Sequence, residues 1–347
     1  MVPKQRERWG KAMGTVETRQ FARPVVSVVI PARNCGALLP AAIASVDAQD
    51  VDNVEIVVVD DGSSDGTAEW LANERCSRPG LVVLTGGGDG PNISRNRAIV
   101  AAAAPLIAFL DADDLWTPGK LAAQLAFHAN DRSAIFSFTD YLHVDPSGAC
   151  HGTSFEYWPA FRRSLAGEDA TNGFRRLDRP AAHILAENVV GTSTVVARRE
   201  VLQNASGFDA SLRSAADWDL WLRLARSGPV GFSRTVGTRY LMQRPGSVSA
   251  NAALRIACMH RILDANAPFL LAAGESGSVR LARAHLLETE AEFARAQGRR
   301  GEAIATHLRA WALCPSARRL RAIAADLRPA RRDPAHAGDQ ARVTPQA

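Results

Sequence analysis

Two clusters of carboxylates stand where a bound molecule would meet them. In VEIVVVDDGSSDGT an apolar run ends in Asp60 and Asp61 and turns through Gly62, Ser63 and Ser64. In PLIAFLDADDLW a second apolar run ends in Asp111, Asp113 and Asp114. Side chains at the C-terminal ends of parallel strands converge on the crevice where open α/β sheets bind ligands. A carboxylate after the first run can accept hydrogen bonds from a nucleobase or ribose, and the Gly/Ser turn supplies amides at a helix start. The same residues also suit a simple cap and turn. Acids as close as those of the second cluster repel one another unless a cation joins them, and hard oxygens suit Mg²⁺ or Mn²⁺ beside a diphosphate. A solvated acidic turn is the alternative there.

The elements that carry these acids are legible from Val25 onward. VVSVVI, VEIVVVD, LVVLT and LIAFL are continuous apolar runs, and ALLPAAIASVDAQ, TAEWLANER and ISRNRAIVAAA between them have helical spacing. That alternation predicts an α/β domain whose mainly parallel sheet is buried on both faces. KLAAQLAFHAN then reads as a helix, and AIFSFTDYLHV and TSTVVA as strands. Residues 1–24 read as a flexible leader and 25–250 as the α/β domain. Residues 251–328, rich in Ala, Leu and Arg, read as a helical extension with a tetratricopeptide-like helix pair at 281–315. One such pair builds no solenoid, so it either caps the main domain or meets a partner. Residues 329–347 carry little apolar content and read as a disordered tail.

Composition narrows the function. The chain has 347 residues with 41 Lys and Arg against 36 Asp and Glu, and no basic block interleaved with aromatics, which argues against nucleic acid. Five scattered cysteines form no zinc or disulfide pattern and fit a reducing, cytoplasmic setting. No apolar run is long enough to span a bilayer. Arginines 318, 319, 321, 328, 331 and 332 offer either a peripheral contact with an anionic membrane face or a solvated surface. His128, His143, His151 and His183 lack ligand spacing and read as structural, while Trp116 and Trp158 are candidates for stacking on sugar rings.

Four segments, VVSVVIPARNCGALLPAAIASVDAQ, VEIVVVDDGSSDGT, NISRNRAIVAAAAPLIAFLDADDLW and GFDASLRSAADWDLWLRLA, together resemble in order and spacing the family 2 inverting glycosyltransferases of the GT-A fold, over roughly residues 25 to 249. The resemblance implies a Rossmann-like nucleotide-diphospho-sugar transferase, an Mn²⁺ or Mg²⁺ cofactor, a nucleoside diphosphate sugar donor, UDP-linked by this family's pattern, and a sugar or glycolipid acceptor. It implies that Pro31, Ala32 and Arg33 open the nucleotide pocket, that Asp61 binds the base, and that Arg95 and Asn96 pass beside the nucleotide. Asp111 and Asp113 match the DxD motif, with Asp113 the surer metal ligand and Asp111 reaching ribose or metal.

An inverting transfer needs a base on the face opposite the leaving diphosphate. Asp217 of ADWDLW aligns with the family's ED aspartate, whereas Asp219 falls on another helix face and reads as structural. Two departures stand out. Ala216 replaces the preceding Glu, and Arg244 in LMQRPGSVS replaces a common His, where it would pair with phosphate oxygens instead of ligating a metal. Gly191, Thr192 and Ser193 match the stretch lining the acceptor side, with packing as the alternative. The competing functions are nucleotidyl transfer, disfavoured by the lack of a Gly-rich, Lys-containing opening turn, and a non-catalytic nucleotide-sugar binder or scaffold.

Overall fold

The computed structural model describes residues 23–165, 173–242 and 251–327. The leader, except for Arg23 and Pro24, and the tail lie outside the described residues, as does Arg244.

Four parallel strands form one half of a ten-stranded sheet: β1 (Val26–Ala32), β2 (Val54–Asp60), β3 (Leu81–Thr85) and β4 (Leu106–Phe109). Between them run α1 (Leu39–Asp47), α2 (Thr67–Ser77) and α3 (Pro91–Ala101). Continuously buried valines and isoleucines make β1 and β2, as strands covered on both faces require. A short β5 (Leu115–Trp116) and α4 (Lys120–Asn130) follow, then β6 (Phe136–Val144) and β7 (Cys150–Thr153). Next come the short helices α5 (Ser154–Tyr157) and α6 (Pro159–Ser164), β8 (Arg175–Arg176), α7 (Pro180–Ala186), one 3-10 turn at Thr192–Thr194, β9 (Val196–Arg198) and α8 (Arg199–Asn204). The sheet is completed by α9 (Ala216–Ala225) and β10 (Val230–Leu241).

The strand order is β3-β2-β1-β4-β9-β6-β10-β5, with β7 beside β6 and β8 beside β10. β9 runs antiparallel between β4 and β6, and β6 and β10 are parallel, so the six principal strands point one way. Chain direction along the sheet reverses at β1, which lies between β2 and β4, making their C-terminal ends the switch point at which open α/β sheets bind ligands. The acids identified in the sequence follow those ends.

The C-terminal region is helical as expected: α10 (Ala252–Ala272), α11 (Ser276–Ala296), α12 (Arg300–Leu313) and α13 (Ala317–Leu327). α11 and α12 meet at Gly298, whose φ of 75° suits glycine. α10 packs on α7 and α9, and α11 on α7. Cys258, Ile262, Leu263, Ala267, Leu270, Val279 and Ala282 belong to the same apolar cluster as Val29 and Phe109 of the sheet. The extension therefore shares the core of the α/β layer. Among the described residues no helix is long and apolar enough to cross a membrane.

Candidate active site

The turn after β2 is knitted to the turn after β1. Asn34 Oδ1 accepts from the Ser64 N–H at 2.8 Å, the Asn34 N–H donates to Ser63 Oγ at 2.9 Å, and the Gly36 N–H donates to Asp65 at 3.1 Å. The serines and Asp65 are thus loop builders. Ala32 is buried and its carbonyl receives the Asp61 N–H at 2.8 Å, which fixes the two strand ends side by side. Pro31 is half-buried in β1 and Arg33 exposed just beyond it.

Asp61 is buried, and its carboxylate accepts three backbone hydrogen bonds: Gly88 and Asp89 on Oδ1 at 2.9 and 3.0 Å, and Gly90 on Oδ2 at 2.7 Å. An ionised carboxylate has about four acceptor positions, so one is left beyond these three backbone donors. A Cβ on Gly86 would come within 2.9 Å of the Asp61 Cα, so glycine is needed for this approach.

Asp111 is bound by Arg95, whose guanidinium donates to Oδ1 at 2.5 Å. The Arg95 side chain is 9% exposed and that of Asp111 27%, so the cation is buried while the acid keeps an open side. Burial works against the charge on Arg95, but Asp111, Asp217 and Asp113 together hold its pKa above the ordinary arginine value. One buried guanidinium thus feels both the DxD acids and the acid proposed as base. Its Nε has no hydrogen-bond partner among the described residues. Asn96 instead spends its amide on the backbone of Phe208, donating to the carbonyl and accepting from the N–H, each at 2.8 Å. Phe208 in turn packs edge-on against Phe109 of β4 and Trp221 of α9, with centroids 5.6 and 5.9 Å away. Asn96 therefore sets the approach of α9 to the sheet.

Asp217 lies in the first turn of α9, half-buried. Its Oδ2 accepts from the Thr192 hydroxyl at 2.8 Å and its Oδ1 from the Trp218 N–H at 2.9 Å. Asp219 pairs with Arg223 at 2.8 Å, and Arg223 also donates to the carbonyls of Ala205 and Gly207, as a structural reading of Asp219 requires. Ala216 is buried in the core cluster, where the Glu of the family pattern would have to place a charge.

The segment that unites the acids is the 3-10 turn. Thr192 holds Asp217, while the next residue, Ser193, accepts the Asp111 N–H at 3.0 Å and donates to Asp114 at 2.5 Å. The Ser193 carbonyl receives Trp116 Nε1 and the Thr238 hydroxyl. Asp114 is buried and also accepts the Leu241 N–H at 3.0 Å. Burial, then the charges of Asp111 and Asp113, push its carboxyl well above the usual range, so Asp114 is a scaffold group. The sequence offered Gly191, Thr192 and Ser193 either as acceptor-side lining or as packing, and TSTVVA as a strand. Thr192–Thr194 form a buried turn bonded to the acids, and the strand begins only at Val196. Gly191 is required because a Cβ would meet the Tyr141 ring at 2.9 Å. Trp116 is no stacking platform, since it is 4% exposed with the Lys120 ammonium over its ring.

The carboxylates of Asp111 and Asp113 follow one strand end. No group of three or more acids, histidines or cysteines among the described residues forms a complete metal cage. Mg²⁺ and Mn²⁺ do not need one, because one or two carboxylates with substrate phosphates and water suffice. The hard-oxygen donors and the partly open face of Asp111 fit such an ion.

This layout, a mostly parallel sheet with acids at its switch point and a further acid in the first turn of a helix, fits a glycosyltransferase of the GT-A fold. The model of glycosyl transferase family 2 matches residues 27–177. The putative teichuronic acid biosynthesis glycosyltransferase TuaG of Bacillus subtilis is 31% identical over 207 residues, 59% of this chain and 74% of that protein. The UDP-Glc:alpha-D-GlcNAc-diphosphoundecaprenol beta-1,3-glucosyltransferase WfaP of Escherichia coli is 26% identical over 227 residues, 65% of this chain and 80% of the other. The chain belongs to glycosyltransferase family 2. Among solved structures, S. aureus TarS 1-349 in complex with UDP-GlcNAc shares the fold at a TM-score of 0.59 and 19% identity, covering 87% of this chain and 79% of that one. The mannosyltransferase PcManGT of Pyrobaculum calidifontis, in complex with GDP-Man and Mn²⁺, does so at 0.57 and 20%, covering 88% and 79%.

Proposed function

We propose that this glycosyltransferase is a metal-dependent inverting enzyme that moves a sugar from a UDP-linked donor to a hydroxyl of a saccharide or glycolipid acceptor in cell-surface polysaccharide or glycolipid assembly. The observation that carries the reading is the Thr192–Ser193 dipeptide, which holds Asp217 through one hydroxyl and Asp111 and Asp114 through the next. Acids from a sheet edge and a separate helix are thereby fixed relative to one another, as a donor site facing an acceptor base requires.

Pro31, Ala32 and Arg33 border the nucleotide, and Asp61 offers its remaining acceptor position to the base. Arg95 orients Asp111, and Asn96 acts through Phe208. Asp113 and Asp111 would hold Mn²⁺ or Mg²⁺, which supplies charge to the departing diphosphate. Arg244, outside the described residues, is assigned to the phosphates from sequence alone. Asp217 takes the proton of the acceptor hydroxyl as that oxygen bonds the anomeric carbon, and the bond to the diphosphate breaks on the opposite face. A cytoplasmic setting with peripheral contact at the membrane fits a glycolipid acceptor such as the one in the name of WfaP.

The test is nucleoside diphosphate release from UDP-, GDP- and dTDP-sugars with Mn²⁺ and a panel of saccharide acceptors. Asp217→Asn and Asp113→Ala are each expected to lose at least ~10²-fold in turnover, with donor binding kept in Asp217→Asn. Full activity in Asp217→Asn would remove it as base. Donor binding by the wild type without turnover on any acceptor would favour the non-catalytic binder.

A further inference from the structure

A cavity of about 300 Å³ lies where α7, α9, α10 and α11 meet, bordered by Trp158, Asn188, Ala215, Trp218, Arg255 and His285. It lies close to the acids along the chain. Asn188 precedes Thr192 by one short stretch, and Ala215 and Trp218 flank Asp217 itself. The lining combines an aromatic wall with polar groups that the protein leaves unused. Trp158 stands edge-on to His285 and to Tyr157, with centroids 5.5 and 4.9 Å away. Asn188 Oδ1, Arg255 Nε and His285 Nε2 are buried atoms without a hydrogen-bond partner among the described residues. Such unmet groups are costly in a folded protein unless a ligand or water answers them.

The acids around the cavity are already engaged. Glu187 accepts the Ala160 and Phe161 N–H groups at 3.0 and 2.7 Å, and its 3.7 Å separation from His285 Nε2 is too long for a hydrogen bond. Glu288 pairs with His285 Nδ1 and Arg319 at 2.8 and 2.9 Å. What remains is mixed: an amide oxygen that must accept and a guanidinium N–H that must donate, while His285 Nε2 faces Glu187 at ion-pair distance. An anion would satisfy Arg255 but not Asn188, and it would meet Glu292, which also lines the cavity. A sugar hydroxyl donates and accepts at once and answers both. An aromatic wall with a few convergent polar groups is the make-up of a small-molecule site.

We infer that this cavity is a subsite for a pyranose of the acceptor glycan, adjoining the sugar whose hydroxyl Asp217 deprotonates. The assignment of the sugar to an acceptor rests on the transferase reading above, whereas saccharide binding by the cavity does not. Saturation-transfer NMR on the full chain tests binding directly, with glucose-, N-acetylglucosamine-, galactose- and mannose-based disaccharides as probes. Wild type is expected to saturate at least one of them, and Arg255→Met and Thr289→Trp, which fills the cavity from a lining position on α11, to lose at least tenfold in its affinity, with thermal unfolding confirming that both variants fold. In transfer assays the same variants raise the acceptor KM tenfold or more while the donor KM stays within twofold. The acceptor is offered both as the free disaccharide and on a short polyprenyl diphosphate. Equal losses on both forms support sugar recognition, and a loss confined to the lipid-linked form overturns it in favour of diphosphate recognition by the arginines. No disaccharide binding by wild type, or unaltered binding in both variants, also overturns the subsite. Binding lost in the variants of a protein that transfers no sugar keeps the saccharide site and rejects the transferase reading.

Discussion

The proposed donor side and the proposed acceptor side of this site are built on opposite plans. On the proposed donor side three acids are held by named partners: Asp61 by three amides, Asp111 by Arg95, Asp114 by Ser193 and Leu241. On the proposed acceptor side Asn188 and Arg255 present unanswered polar atoms around a cavity. A site that must stabilise a departing diphosphate can be wired in advance, because preorganised charges cost nothing to reorganise during reaction. A site that meets a particular acceptor keeps its hydrogen-bonding capacity for that molecule.

The largest test of this contrast is Arg95→Met. It strands Asp111 beside Asp113 and Asp114 and removes the cation that faces Asp217. Turnover is expected to fall ~10³-fold, with disaccharide binding in the cavity intact. Loss of both functions together would show that the two sides are one coupled unit.

A second test uses two buried histidines. His128, bonded to Ser137 and the Val196 carbonyl beneath the donor side, is driven to about 4, first by burial and then by Arg198. The unfolded chain takes up that proton first as pH falls, so the stability this neutral ring contributes is present above the ordinary imidazole value of about 6.5 and drains away toward pH 4, by up to about 3 kcal/mol. At His285 burial opposes the charge but Glu187 and Glu288 prevail and raise the pKa. Its contribution is full below the ordinary value and is lost as pH rises through the raised one. Denaturant titrations of His128→Gln and His285→Gln from pH 4.5 to 9 are therefore expected to differ from wild type with opposite slopes. Parallel slopes would erase the distinction.

The smallest effect is expected from Thr192→Val, which removes one hydrogen bond to Asp217 and nothing from the cavity. Turnover should fall about fivefold, equivalent to about 1 kcal/mol, with both KM values within twofold of wild type. A change in acceptor KM alone would move Thr192 to the acceptor side.

The same contrast explains what the sequence reveals. Buried parallel strands are continuously apolar, so β1 to β4 and the acids after them stand out, and the C-terminal helices announce themselves by composition. β10 does not stand out. Ser233, Arg234, Thr235 and Gly237 interrupt it where its pairing with β6 shifts register, so no apolar run marks it. The Thr192–Thr194 turn looks like a strand because β-branched residues favour strands; its hydroxyls are engaged by Asp217, Asp114 and the Gly191 carbonyl instead. The cavity has no motif at all, since its lining comes from short separate stretches that only folding brings together.

One hydrogen bond sets a schedule for the making of this enzyme. Asp114 is held on one side by Ser193, 79 positions later in the chain, and on the other by Leu241, 127 positions later. At about 5–20 residues per second of synthesis, the DxD loop is translated roughly 6 to 25 seconds before its last anchor exists. A ribosome-bound chain that has not reached β10 therefore carries the acidic loop without the framework that aims it, and the growing polypeptide is silent as a catalyst until the sheet is nearly complete.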